Sequence, residues 1–265
     1  TNDIVLAEQA ISGEFSSNNL FSNISLQISG SNTAESLFTS EEKEYIQESS
    51  VIKAATVDGA APLSFTNNEG EIQGVFQNVL DRVSSITGLI FECAVYPTVE
   101  ETINSDAKII YGISPNYAPD NIVLSRPFLE TQTILYMNSS IDSSQLNDKI
   151  YAAVKGSRLP DGIYEEYSLF YDTREDSMNA VEGGEADYGY GNAYSVAYYT
   201  LRNGYKNIVT VPLGHEFRQY CIGLQKGDEM LLSIINKALD SIDRNQKQTL
   251  ILDVASQVER KITPE

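Results

Sequence analysis

The residues of this chain that could do chemistry gather in short polar loops rather than in catalytic clusters. The stretch KIIYGISPNYAPDNIVLSRPF, residues 108–128, opens on the apolar pair Ile109 and Ile110 and then breaks into Gly, Ser, Pro, Asn and Asp. That is the pattern of a buried strand running out into a turn. Loops at the carboxyl ends of strands hold ligands in open α/β sheets, so Ser114, Asn116 and Tyr117 become candidate contacts; the alternative is a plain surface turn. A second loop, Lys155-Gly156-Ser157-Arg158, precedes an expected helix over Tyr164 to Tyr167. Helix N-termini offer free amides to an anion or a carbonyl, which nominates Gly156 and Ser157. Arg158 would add a guanidinium there, or else is a solvated surface charge. Tyr111, Tyr117, Tyr190 and Tyr194 offer ring faces and hydroxyls, and Asn192 and Phe65 complete the candidate set.

Other chemistries find no support. Thirty-seven acidic against eighteen basic residues give a formal charge of −19, which repels phosphate backbones and anionic lipid, so no nucleic-acid partner is expected. The chain has one histidine, His215, and two cysteines, Cys93 and Cys221, both inside apolar strand-like runs. That leaves no zinc cluster, no His-centred triad and no paired carboxylates, so no catalytic residue, metal or cofactor is expected. No apolar run reaches the length of a membrane span. No signal peptide or lipid-attachment motif is present, and a chain that starts at Thr1 rather than Met reads as an excised segment.

The elements that must position these residues follow a strand-helix rhythm. Thr39-Ser-Glu-Glu42 is a capping box opening a short helix. Strand VIKAATV (51–57) is followed by Val75, Phe76, Val79, Leu80, Val83 and Ile86 at helical spacing, closed by Gly88, and then by a strand from Leu89 to Val95. This is a strand-helix-strand unit of a parallel sheet. The pattern resumes with strands at 133–137, 149–154 and 169–171, and with a helix through Val181 capped by Asp176. A short strand at 186–188, an Asn192-capped helix and a strand at 208–211 come next. QYCIGLQ reads as a further strand, and Asp228 caps a helix with a stripe of Met230, Leu231, Ile234, Ile235, Ala238, Leu239 and Ile242. A last helix is expected over about 248–258. At 265 residues, two α/β lobes with a ligand cleft between them are the natural division.

The runs TSEEKEYI, VIKAATVDGAAPLSFTNNEGEIQGVFQNVLDRVSSITGL, VLSRPFLETQTILYM, KIYAAVKGS, AVEGGEADYGYGNAYSVAYY and IGLQKGDEMLLSIINKAL, in this order, resemble the type II periplasmic binding-protein fold. The resemblance is to family 3 extracellular solute-binding proteins and the related sensor domains of bacterial membrane kinases and diguanylate cyclases. It implies an α/β fold of two lobes, mainly parallel sheets flanked by helices, joined by a two-strand hinge. Lobe 1 would hold 39–130 and 217–256 and lobe 2 would hold 131–216, with a lead-in segment at 1–38 and a tail at 257–265. The hinge would fall near Glu130 to Thr133 and Leu213 to Phe217, Arg126 would be structural, and Cys93 and Cys221 would not pair.

Departures from that pattern bear on the ligand. Amino-acid-binding members carry an arginine for the substrate carboxylate where this chain has Ala118 or Pro119, and an acid for the ammonium where it has Asn192. Their stacking aromatic falls on Ala60 or Ala61. The resemblance therefore implies a small solute other than a standard free amino acid, or lost binding. The expected function is an extracytoplasmic, membrane-tethered sensor domain of a signalling protein. A receptor of an ABC transporter is the alternative, and an enzyme on the same fold a distant third.

Overall fold

The computed structural model describes residues 36–225 and 227–249; the side chains of Asn116, His215 and Glu216 lie outside that description, as do the lead-in before residue 36 and everything after residue 249, including most of the helix expected over 248–258. The described part opens with α1 (Ser40–Glu48), begun by the expected capping box, in which Thr39 and Glu42 satisfy each other's amides. Strand β1 (Ile52–Val57) leads to the short pair β2 (Phe65–Thr66) and β3 (Ile72–Gln73), then α2 (Val75–Thr87), β4 (Phe91–Tyr96), α3 (Val99–Ile103) and β5 (Ile109–Ile113). Helix α2 buries Val75, Phe76, Val79, Leu80 and Val83 along one face and stops at Gly88 in the left-handed conformation.

After β6 (Ile122–Leu124), the ten-residue β7 (Leu129–Asn138) carries the chain away from this first half. There follow β8 (Tyr151–Val154), β9 (Ser168–Tyr171), α4 (Arg174–Gly183), β10 (Tyr188–Asn192) and α5 (Ala193–Asn203), before β11 (Ile208–Gln225) returns and α6 (Glu229–Ser241) closes the first core. The sheet order is β4-β1-β5-β11-β7-β10-β8-β9, with β6 also on β11. The outer strands pair in parallel, β4 with β1, β1 with β5, β10 with β8 and β8 with β9. The two long strands, β7 and β11, are antiparallel and run through both halves.

Each half has its own core. In the first, α2 and α6 pack Leu80, Val83, Ile234 and Ile235 against Ile52, Ile109 and Ile222 of the sheet. In the second, the two sheet faces carry separate clusters, one around Tyr136, Met178 and Val181 and one around Leu135, Tyr151 and Tyr188. Between the halves the ladder of β7 and β11 slips: Leu213 pairs with Thr133 and Phe217 with Gln132, so residues 214–216 are extra on β11. An insertion of this kind bends and twists a strand pair.

Several expectations are corrected. Segments 208–211 and QYCIGLQ, read as separate strands, are one 18-residue strand. Pro212 does not interrupt it, because β11 is the sheet edge in the second half and a proline there loses no ladder bond on its open side. The strand read at 186–188 is Tyr188–Asn192. The helix cap read as Asp176 is Thr173, whose hydroxyl accepts from the Asp176 amide. The helix expected over Tyr164 to Tyr167 is a single 3-10 turn, Glu165–Tyr167, after a segment broken by Pro160 and Gly162. Loop 155–158 therefore precedes no α-helix, and the Ser157 amide instead closes a turn onto the Val154 carbonyl. Arg126 pairs with Asp240 of α6, and its amide donates to Asn236 Oδ1, which ties the chain before β7 to the first half.

Candidate functional site

The cleft lies where loops from both halves meet over the crossing strands. From the first half come Asp58, Gly59 and Ala60 after β1, Pro97 to Val99 after β4, and Ser114 and Tyr117 after β5. From the second come Val154 at the end of β8 with Lys155 and Ser157 after it, Asp172 to Arg174 after β9, and Asn192 and Ser195 at the start of α5. The walls touch: the Tyr199 hydroxyl donates to the Gly59 carbonyl at 3.4 Å, and a Cβ placed on Gly59 would lie 3.6 Å from Thr173 Cγ2. At the other rim, a Cβ on Gly156 would lie 3.2 Å from Thr98 Cβ.

Two cavities open in this cleft. The inner one, of about 150 Å³, has apolar walls from Val57, Phe76, Val99, Ile110 and Tyr220. The outer one, of about 620 Å³, is bordered by Tyr151, Arg158, Asp161, Tyr190 and Phe217. They share one seam, made of Ser114, Tyr117, Val154, Ser157, Arg174 and Arg218.

Both seam arginines escaped the sequence reading. Arg174 is the first residue of α4, and its Nη1 donates to the Tyr136 hydroxyl at 2.6 Å, with the guanidinium carbon 5.7 Å from that ring's centre. The buried Tyr136 hydroxyl shares a 2.7 Å hydrogen bond with Ser177 Oγ, which donates to the Ala152 carbonyl at 3.0 Å. The relay thus ends on the backbone of β8. Strand β10 makes room for it. Its sequence Tyr-Gly-Tyr-Gly-Asn puts Gly189 and Gly191 on one face, where a Cβ would sit 2.3 Å from the Tyr136 hydroxyl and 3.4 Å from Arg174 Nε respectively. Tyr188 and Tyr190, which alternate with them, face the opposite way and pack edge-on, with ring centres 5.8 Å apart.

Arg218 follows the slip in β11, opposite Thr131, and borders the inner cavity with Tyr220, whose ring packs 5.0 Å from Phe76. Burial pushes the Tyr220 and Tyr151 hydroxyls up, while the guanidiniums of Arg174 and Arg218 pull them back. Burial works against the charge on Arg174, but the phenolic oxygens of Tyr136, Tyr151 and Tyr117 more than offset it. Among the described residues neither arginine has an ion-pair partner. The two acids lining the inner cavity are engaged elsewhere: the Asp58 carboxylate accepts from the Gly59 amide and from the amide and hydroxyl of Thr66, and Asp172 pairs with Lys155 at 2.6 Å.

Of the residues nominated from sequence, Ser114, Tyr117 and Ser157 border both cavities, Tyr111 and Asn192 the inner one and Arg158 the outer one. Tyr111 is buried, and its hydroxyl is fixed on Gln77 Oε1 at 2.8 Å, so it presents only its ring. Asn192 is buried as the cap of α5, accepting from the Ser195 amide and donating to the Ser195 hydroxyl. Gly156 sits at the rim. Tyr194 packs on the first core and Phe65 on both cores, so neither lines a cavity. The side chain of Asn116 lies outside the described part. Among the described residues no group of three or more His, Cys, Asp or Glu could hold a metal ion, and no helix is long and apolar enough to cross a membrane.

No protein-family model matches the chain. It is 24% identical over 232 residues to the virulence sensor protein BvgS of Bordetella pertussis, a match that spans 82% of this chain and 19% of the relative. It is likewise 24% identical over 222 residues to the sensor protein EvgS of Escherichia coli K12, covering 77% of this chain and 18% of that one. The chain thus spans about one fifth of the length of these relatives. Among solved structures, the periplasmic VFT2 domain of Bordetella pertussis BvgS superposes with a TM-score of 0.72 at 23% identity, covering 82% of this chain and 98% of that domain. An ABC uptake transporter substrate-binding protein from Streptococcus pneumoniae with bound histidine superposes with a TM-score of 0.66 at 17% identity, over 84% of this chain and 98% of that one. The chain therefore has the mixed α/β, Venus-flytrap fold of periplasmic binding proteins, and its sequence is similar to the sensor proteins BvgS and EvgS.

Proposed function

We propose that this chain is the extracytoplasmic, small-solute-binding sensor domain of a membrane-tethered signalling protein, a histidine kinase or a diguanylate cyclase, and that it closes on its ligand. The observation that carries this reading is the pair of cavities meeting at a polar seam between two halves joined by β7 and β11. The lobes of the proposal are residues 39–130 with 217–256, and residues 131–216. They rotate about 130–133 and 213–217, and the slip of the β7–β11 ladder at Leu213 and Phe217 supports that placement. The sequence similarity to two sensor proteins favours signalling over delivery to a permease. The domain is a binder and not an enzyme, and its solute is not a standard free amino acid.

Closure biases signalling when the ligand holds one arrangement of the lobes better than the other. The test is the reading frame around the chain. A membrane-spanning segment followed by a kinase or cyclase domain is the expected result. A lipid-attachment cysteine before the chain and a stop codon after it would assign the domain to a transporter receptor instead.

A further inference from the structure

We propose that the cleft takes a compact organic monoanion, a carboxylic acid with an apolar body and no ammonium group, whose carboxylate is clamped between Arg174 and Arg218 and whose body fills the inner cavity. This inference rests on the solute-binding reading above and names the class of solute. Arg174 reaches the seam from the N-terminal residue of α4 in the second half, and Arg218 reaches it from the crossing strand. A carboxylate between them meets two planar forks of donors.

Three further observations define the class. The first is charge. Neither guanidinium has an ion-pair partner among the described residues, whereas Asp58 and Asp172 are already engaged by Thr66 and by Lys155. Among the described residues Asp58 and Asp172 are the acids that line the inner cavity, and with both engaged an ammonium on a body seated there meets no carboxylate free to turn toward it; Asp161 borders only the outer cavity. The second is size. The inner cavity measures about 150 Å³, which suits a body of about six carbons, since a cavity of that volume can hold benzene. The third is anchoring. The relay from Arg174 through Tyr136 and Ser177 to the Ala152 carbonyl holds the guanidinium before ligand arrives, so less ordering is required on binding.

The experiment is isothermal titration of the wild-type domain with straight-chain carboxylic acids of two to seven carbons. Alongside run the primary amide and the α-amino acid built on each carbon skeleton, and sodium sulfate as an inorganic arm. At least one acid is expected to bind at least tenfold more tightly than its amide, its α-amino counterpart and sulfate, and to lose affinity with rising salt. Arg174→Gln weakens that acid by about 10- to 100-fold, the range of a charge-assisted hydrogen bond. Arg174→Lys recovers part of the loss, because lysine keeps the charge without the fork. Arg218→Gln gives a second loss of similar size, with thermal melting confirming that each variant is folded.

An amide or an α-amino acid that binds more tightly than its acid overturns the anionic class and leaves the solute-binding reading standing. Sulfate bound as tightly as the best acid overturns the role of the apolar body. Equal affinity in folded Arg174→Gln and Arg218→Gln overturns the clamp. No binding by any of the three organic series overturns the proposal together with the reading it rests on.

Discussion

The Arg174 guanidinium donates to the Tyr136 hydroxyl at 2.6 Å, and this one bond couples the ligand seam to the buried core of the second half. The same hydroxyl shares a hydrogen bond with Ser177 Oγ at 2.7 Å. Tyr136→Phe removes the shared oxygen, which leaves the Arg174 guanidinium without its acceptor and Ser177 Oγ without its donor. The expected cost is about 1 to 3 kcal/mol of stability, read as a lower urea midpoint at unchanged slope. Ligand affinity should fall as well, since Arg174 loses its anchor. An unchanged midpoint would show that the relay carries no weight.

Gly112 lies in β5 beside the inner cavity at φ +90°, and a Cβ there would approach Phe76 Cδ2 to 2.1 Å. Left-handed backbone and overpacking act together, so Gly112→Ala should cost about 2 to 6 kcal/mol. Gly183→Ala makes the contrast, because nothing lies within 4 Å of a Cβ at that position. Urea titration of both variants separates the two cases.

Acid sensitivity should arise where α1 docks on α6. The buried Glu42 carboxylate accepts from Ser233 Oγ at 2.7 Å and from Lys237 Nζ at 2.8 Å. Burial alone would raise its pKa, but these bonds and the Thr39 amide more than offset it, so the carboxyl lies below its usual value. Asp228 is held low in the same way, against burial, by Lys108, the Leu231 amide and Tyr45. Groups with lowered folded pKa values stabilise fully above the unfolded carboxylate range and lose that contribution as pH falls through the folded value. Melting temperature should therefore fall more steeply below about pH 4 in the wild type than in Glu42→Gln, which carries no charge to lose. Parallel curves would remove Glu42 from the acid response.

Element boundaries were legible where their signals are local, in both halves. The capping box at Thr39, the apolar stripes of α2 and α6 and the Asn192 cap each fix a boundary within a few residues. The continuity of β11 was hidden, because tolerance of Pro212 depends on which edge of the sheet it occupies. At the site, Ser114 and Tyr117 could be read from a strand-end loop, but Arg174 could not. In sequence it stands between Thr173 and Glu175 as an ordinary charge in a helix's first turn. What turns it inward is the groove left by Gly189 and Gly191 on a strand that follows in the chain, together with the phenol of Tyr136. The two glycines in Tyr188-Gly-Tyr-Gly-Asn192 were the one available signal, since paired glycines on one strand face mark close approach by another group.

The central claim is that solute reaches the seam only when the two halves part. A Cβ on Gly59 would lie 3.9 Å from Thr173 Cβ, inside the range that a disulfide bridges. The Gly59→Cys, Thr173→Cys double variant, freed of ligand and then oxidised, should lock the halves together. The measurement is titration of the oxidised and reduced forms with the acid that the wild-type domain binds best. The account predicts binding by the reduced form, none by the oxidised form, and recovery when reductant is added. Equal affinity and equal association rate in the two forms would contradict it.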